Sequence, residues 1–240
     1  MVKEIILYDL PSKQGTPWSL NPWKTRMILN FKGIDYKTEW VEYPDIAPKF
    51  KSFGIEPNKD SPEYTIPAIQ TAKGDYIMDS KRIAAYLEET YPPGDYAAVK
   101  LDEPVQEKVV KTLNDIWRAL QPVILPLIPR NVLNPSSAEY FQRTRKEIFG
   151  MPLDEFEATK GGDEAWKNAE KPIGEMASLL REEDGPYFQG DKSCYADFYF
   201  VTFLRFAKAA DEKVYDRIVK DQPEFRALYT CMEAYLDKAD

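Results

Sequence analysis

The sequence predicts two domains, a small mixed α/β unit followed by a larger all-helical one. Three observations carry that reading. Short apolar runs of strand character alternate with helical patterns from the N-terminus to Tyr91. Pro92-Pro93-Gly94 then breaks the chain. Beyond the break the strand signals fade and only the helical period remains. The expected division is residues 1–92 and 101–240, hinged near Tyr91–Lys100.

The first element is "EIILYDL" (Glu4–Leu10), an Ile/Leu-rich run stopped by Pro11, as a buried strand would be. "PSKQGTPWSL" is a loop by its Pro, Gly and Ser content. A helix follows, with Asn21 expected as N-cap and Pro22 in the first helical position. Trp23, Met27, Ile28 and Phe31 recur at helical spacing, and Gly33 ends the helix. Asp35–Tyr43 alternates like a strand. "PDIAPKFKSFG" predicts a short, irregular helix, and "YTIPAIQTAKGDYIMDS" a hairpin turning at Lys73-Gly74. "DSKRIAAYLEETYP" predicts a helix with Ile83, Tyr86, Leu87 and Tyr91 on its apolar face. The order is β-α-β-α-β-β-α. In the second domain, helices are expected over Pro104–Leu120, Ser137–Phe149, Glu164–Arg181, Asp197–Ala209 and Pro223–Lys238. Pro122, Pro126 and Pro129 should kink or break the chain between the first two.

Composition excludes several functions. The chain has 240 residues and a formal net charge of -8. That balance disfavours nucleic acid and anionic membranes as partners. No window approaches the ~20 apolar residues of a membrane span, and "MVKEIILYDL" is too short in apolar residues for a secretory signal. A cytoplasmic location is expected. Histidine is absent, which removes the commonest general base and the usual nitrogen ligand of zinc. Cys194 and Cys231 form no CxxC pair. They are expected as reduced thiols, and no metal site is expected.

Three places hold candidate chemistry. In "YTIPAI", a cis Ile66–Pro67 bond would turn the chain sharply and leave the amide and carbonyl of Ile66 free to pair with an extended peptide. The alternative is a plain strand-edge proline. In "DS", Ser80 is a natural N-cap. The helix start also attracts an anion, while Asp79 beside it suits an ammonium group. Together the two fit a zwitterionic amino-acid end. In "GTPWSLNPWKTR", Ser19 lies near a helix N-terminus, where dipole and hydroxyl both favour a thiolate. A charge-assisted hydrogen bond contributes roughly 1.5–3 kcal/mol and the dipole ~0.3–1. Together they would bring a bound thiol from ~8.5 to about 6.5–7. Ser19 as a nucleophile lacks an adjacent base.

These sites, in this order, resemble those of the cytosolic glutathione transferases, and the resemblance covers the whole chain. It implies a thioredoxin-like N-terminal domain that binds glutathione and an all-α C-terminal domain that contributes a hydrophobic substrate pocket. "TIP" resembles the cis-proline motif, whose preceding residue, here Ile66, pairs with the cysteinyl part of glutathione beside Pro67. "DS" resembles the acid–serine pair, here Asp79 and Ser80, that holds the γ-glutamyl end. In cysteine-type members a Cys-Pro-x-x-x-Arg-x-Arg run opens the first helix. "SLNPWKTR" aligns with it and places Ser19 where that cysteine stands. Whether Ser19 or Asn21 touches the sulfur stays open, since Asn21 can donate its amide or serve as the cap. Lys49, Lys51 and Lys59 are candidates for the glycyl carboxylate, Lys49 favoured.

"WSLNPWKTR" and "WVEYPDI" look most like the fungal-specific class A enzymes, relatives of bacterial β-etherases associated with aromatic wood-derived compounds. The second substrate is then a hydrophobic, aromatic molecule. Trp18, Trp23, Trp117 and Leu120 are its candidate contacts, Trp117 foremost. Against them stands the ordinary packing of aromatic side chains at helical spacing. The family implies a homodimer. It also carries a Ser/Thr-x-x-Asp capping box in a core helix of the second domain, where this chain has "CYAD", with the poorly capping Cys194 before Asp197. The expected function is conjugation of glutathione to aromatic electrophiles, as in detoxification. The alternative is a non-catalytic carrier of aromatic or phenolic ligands. Reduction of mixed disulfides is disfavoured, because a serine at position 19 cannot form one.

Overall fold

The computed structural model describes residues 4–59 and 62–239. The chain forms two compact units. The first ends at Val99 and also takes in the chain from Ala234 onward; the second is Lys100–Glu233.

The N-terminal unit holds β1 (Ile5–Asp9), α1 (Leu20–Lys32), β2 (Tyr36–Trp40), α2 (Ile46–Ser52), β3 (Ala68–Gln70), β4 (Tyr76–Met78) and α3 (Ser80–Thr90), with a 3-10 turn at Tyr43–Asp45 leading into α2. The sheet order is β2-β1-β3-β4. β1 and β2 are parallel, with Ile5 opposite Tyr36 and Asp9 opposite Trp40. Parallel neighbours need a crossover, and α1 supplies it. β1 is central and covered on both faces, with Leu7 and Tyr8 almost inaccessible. That is why "IILYD" is a continuous apolar run rather than an alternating one. β3 is antiparallel to both β1 and β4. The β3–β4 turn bends at Gly74, whose φ of 96° a side chain would resist. The irregular segment expected after β2 is the 3-10 turn and α2, anchored by Phe50 against Tyr8.

One ion pair runs through the unit's core. Arg26 of α1 donates to Asp9 at the end of β1 at 2.7 Å, and neither side chain is solvent-exposed. The second Asp9 oxygen accepts from the amide of Leu10. Arg26 also donates to Tyr36 and Thr38 of β2 at 3.2 and 3.1 Å, and to the carbonyl of Ala239. One turn on, Asn30 donates to the carbonyls of Tyr235 and Lys238 at 2.7 and 2.8 Å. The C-terminal tail is thereby bound along α1. The Tyr235 ring also meets Phe31 of α1 edge-on at 5.3 Å, and Lys238 pairs with Asp35 at 3.8 Å.

The helical unit contains α4 (Val105–Ile124), α5 (Pro135–Phe149), α6 (Leu153–Lys160), α7 (Gly162–Leu180), α8 (Tyr195–Ala210), α9 (Glu212–Val219) and most of α10 (Pro223–Leu236). α4 runs through Pro122 for a further two residues; Pro126 falls in the turn that follows and Pro129 in a π-helical turn at Ile128–Val132. The break therefore comes after Pro122, not at it. α6 and α9, each of eight residues, were not expected from the sequence. Each is only about two turns long, below the ~10–12 residues at which periodicity separates a helix from other short apolar runs. α8 is the core helix, with most of its residues buried.

Asp197 secures the start of α8. Its carboxylate accepts from the amide of Cys194 at 2.7 Å and from that of Phe188 at 2.9 Å. This half of the capping box needs nothing from the cysteine side chain. Burial raises the Asp197 carboxyl to about 6, against the two amide bonds, which lower it. The same burial pushes the Cys194 thiol up to about 12, so this cysteine is inert.

Two outcomes are expected. Arg26→Met leaves Asp9 buried and unpaired and should cost about 3–5 kcal/mol in urea unfolding, with part of that recovered in an Asp9→Asn/Arg26→Met double variant. Asp197 has a folded-state value above its unfolded one, so between pH 6 and 4 the folded chain binds a proton that the unfolded chain does not. Its contribution to stability therefore rises as pH falls through about 6. Relative to Asp197→Asn, the native chain should gain about 2 kcal/mol between pH 7 and 4.5. A difference that is flat or opposite in sign would show that the carboxylate is not strained by burial.

Candidate functional site

The sheet brings the three sequence motifs to one end. α1 returns from the C-terminal end of β1, so its N-terminus lies there. β4 runs parallel to β1 through two antiparallel pairings, so α3, which starts directly after β4, begins at the same end. β3 enters the sheet there too, with Ala68 opposite Tyr8. The bond ahead of it, Ile66–Pro67, is cis. Two helix N-termini, each the positive end of a helix dipole, thus flank a cis-proline turn.

Ser19, not Asn21, is the N-cap residue of α1, with extended backbone at φ -76°, ψ 131°. The helix starts two residues earlier than the Asn-Pro signal suggested. Pro22 still falls in the first turn, where a missing N–H costs nothing. Ser19 makes no side-chain cap bond. Its hydroxyl is half-buried at the helix start and leaves the first amides open. Asn21 is exposed and accepts at Oδ1 from the ammonium of Lys24 at 3.0 Å.

Ile66 is nearly buried. Neither its amide nor its carbonyl takes part in a backbone hydrogen bond among the described residues. The next carbonyl, that of Pro67, accepts from the amide of Asp79 at 3.2 Å and locks the two motifs together. Asp79 has φ 87°, the only positive value at a described non-glycine residue. Its Oδ1 accepts from the amides of Lys81 and Arg82 at 2.9 and 3.1 Å. Asp79 is therefore the N-cap of α3, and Ser80, read from sequence as the cap, is its first helical residue. The strained backbone persists because the capping bonds and the bond to Pro67 hold it. Neither the buried Ser80 hydroxyl nor the second Asp79 oxygen makes a hydrogen bond to a described residue.

The sequence did not single out Lys24. Its side chain is 8% exposed. Burial, with Lys81 adding to it and Asp79 opposing, lowers its ammonium to about 8. The available signal was its spacing, one helical turn after Asn21 on the same face.

The other candidates are dispersed. Lys49 on α2 is paired with Glu39 of β2 and stands 5.8 Å over the Phe53 ring. Lys51 and Lys59 are exposed. Trp18 is buried and donates to the carbonyl of Pro11. Trp23 is fully buried, with Arg26 5.5 Å from its ring. Both pack the N-terminal unit. Trp117 is half-buried on α4 and meets Phe206 edge-on at 5.8 Å, while Leu120 is fully buried. Among the described residues no cluster of His, Cys, Asp and Glu could hold a metal ion.

Asp79 offers a direct test of the site's construction. Asp79→Ala loses the cap and keeps a Cβ at positive φ, at a cost of about 1–2 kcal/mol. Asp79→Gly loses the cap but relaxes the backbone, and should cost less than Asp79→Ala in urea unfolding. The reverse order would show that the conformation is unstrained.

The chain matches two family models, the glutathione S-transferase N-terminal domain over residues 18–90 and the glutathione S-transferase C-terminal domain over residues 105–233. It is 36% identical to the glutathione S-transferase-like protein ustS of Aspergillus flavus, over 92% of this chain and 85% of that one. Glutathione transferase GSTFuA3 of Phanerochaete chrysosporium superposes over the full length of both chains, with a TM-score of 0.86 and 27% identity. A glutathione S-transferase of Ceriporiopsis subvermispora, solved in complex with glutathione, superposes with a TM-score of 0.83 and 34% identity over 97% of this chain and 98% of that one. Two domain models that together span most of the sequence, in the order of its two units, show that this chain belongs to the glutathione S-transferase family.

Proposed function

We propose that the protein binds glutathione at the N-terminal unit's sheet end, holds its sulfur as a thiolate at the start of α1, and transfers it to a hydrophobic aromatic electrophile. The observation that carries this reading is a serine in the capping position that does not cap. An ordinary N-cap serine satisfies an amide of its own helix. Ser19 keeps its hydroxyl for something else, beside amides that favour an anion.

The remaining parts fit the shape of the tripeptide. Ile66 offers one backbone donor and one acceptor beside Pro67, which suits the cysteinyl residue. Asp79 and Ser80 offer a carboxylate oxygen, a hydroxyl and a helix start, which suit the ammonium and carboxylate of the γ-glutamyl end. Lys49 is the candidate for the glycyl carboxylate, which would have to compete with Glu39 for its ammonium. Without histidine, no general base is at hand. Rate then comes from thiolate stabilisation and from positioning. For the electrophile, Trp117 offers an aromatic surface on the helical unit, with Leu120 behind it. Trp18 and Trp23 act by shaping the floor of α1 rather than by touching substrate.

Within the family, "WSLNPWKTR" and "WVEYPDI" favour the fungal-specific class A group and wood-derived or xenobiotic aromatics as substrates. A cytoplasmic homodimer completes the reading. No helix among the described residues is long and apolar enough to cross a membrane.

The test is the initial rate of conjugation to an activated aromatic electrophile between pH 5 and 9. The rate should rise through an apparent value well below the ~8.5 of a free thiol. Ser19→Ala should lower turnover about 10- to 100-fold, the equivalent of one charge-assisted hydrogen bond, with a smaller change in glutathione affinity. No rate above background with intact glutathione binding would make the protein a ligand carrier instead.

A further inference from the structure

Asn21 sits two residues into α1, and its amide oxygen is 3.0 Å from the ammonium of Lys24. An ammonium only donates, so the amide atom facing it is the oxygen whatever the neighbours. The amide is planar, and its NH2 group therefore points away from Lys24. That NH2 group makes no hydrogen bond to any described residue. A buried cation thus sets the direction of an exposed amide at the helix start where Ser19 stands.

We propose that Lys24 is a positioning residue, which holds the oxygen end of Asn21 so that the nitrogen end is presented to the glutathione sulfur as a second donor beside Ser19. The proposal rests on the reading of this sheet end as the glutathione site. It gives Asn21 a role distinct from capping, which Ser19 has taken over. It also explains why a lysine is kept largely out of water at the cost of a lowered ammonium, about 8 against an ordinary 10.5. The charged groups that act on it are Lys81 and Asp79, both at the start of α3. Of its neighbours on α1, Arg26 is closed in the pair with Asp9 of β1. Above about pH 8, Lys24 loses its proton, its hold on the amide oxygen weakens, and the donor is no longer fixed.

The test combines a pH profile with a mutant cycle. Glutathione binding is measured by calorimetry, the ionisation of the bound thiol by its ultraviolet absorbance, and turnover with an activated aromatic electrophile. Lys24→Met should lower kcat roughly tenfold, the loss expected of one oriented hydrogen bond, with a smaller change in KM and a higher thiol pKa. The same change made in Asn21→Ala should have no further effect, because the lysine acts through the amide. The native enzyme should lose rate above pH 8, and Lys24→Arg, which stays charged, should not. Asn21→Asp keeps an acceptor for Lys24 and suits the helix start, so it should fold normally yet lose rate as Asn21→Ala does. That variant serves even if Lys24→Met fails to fold. Additive losses in the cycle, or full activity in Asn21→Asp, would overturn the role of Lys24. Failure of the native protein to bind glutathione at all would instead overturn the reading of the site.

Discussion

The buried pair of Asp9 and Arg26 is the constraint on which the N-terminal unit is built. Two charges taken out of water are costly, and the cost is offset only if every remaining donor and acceptor is met. Here the surroundings largely meet it. Asp9 gains the amide of Leu10, and Arg26 gains two hydroxyls of β2 and a carbonyl of the tail. The result ties the end of β1, the middle of α1, strand β2 and the C-terminus to one point. A hydrophobic contact could have bridged the same elements, but it would have tolerated a rotation of α1. A directional pair does not, and the orientation of α1 decides where Ser19, Asn21 and Lys24 stand.

From that fixed helix the chemistry follows with few parts. A sheet with β1 at its centre collects two helix N-termini and a cis-proline turn at one end. Each helix start presents the positive end of its dipole, and the turn presents the amide and carbonyl of Ile66, which take part in no backbone hydrogen bond among the described residues. In the proposed mechanism, the field at these helix starts takes the place of the general base that histidine would provide. The strained backbone of Asp79 belongs to the same logic. It sends one carboxylate oxygen into the cap of α3, as an aspartate N-cap does, from a backbone that is held against its own preference.

The helical unit answers a different demand. α8 is nearly all buried, so its first amides have no access to water and must be satisfied by protein. The amide of Tyr195 donates to the carbonyl of Lys100, and Asp197 holds the amides of Cys194 and Phe188 just ahead of the helix; burial raises its carboxyl despite the bonds it accepts. The cysteine in the usual hydroxyl position is tolerated because both halves of the box form: its sulfur takes the amide of Asp197, and the Asp197 carboxylate takes the amide of Cys194. A departure that looks like a weakened cap in sequence is a working cap in the structure.

The sequence by itself determined the order of elements, the change from mixed to helical architecture, and the three motifs that converge on the site. These are local properties: strand runs, helical periods, prolines and glycines act on their immediate neighbours. Only the tertiary structure decided the rest. It moved the caps from Asn21 to Ser19 and from Ser80 to Asp79, because a cap is chosen by where the chain enters the helix and not by which nearby residue has the best propensity. It buried Trp18 and Trp23, which spacing alone left available to a substrate. It gave Lys24 a place beside Asn21 at the start of α1 and recruited the tail onto α1, through the carbonyls of Tyr235 and Lys238 and the ring of Tyr235. In each case the deciding contact joins residues whose proximity depends on packing, and packing is a property of the whole unit.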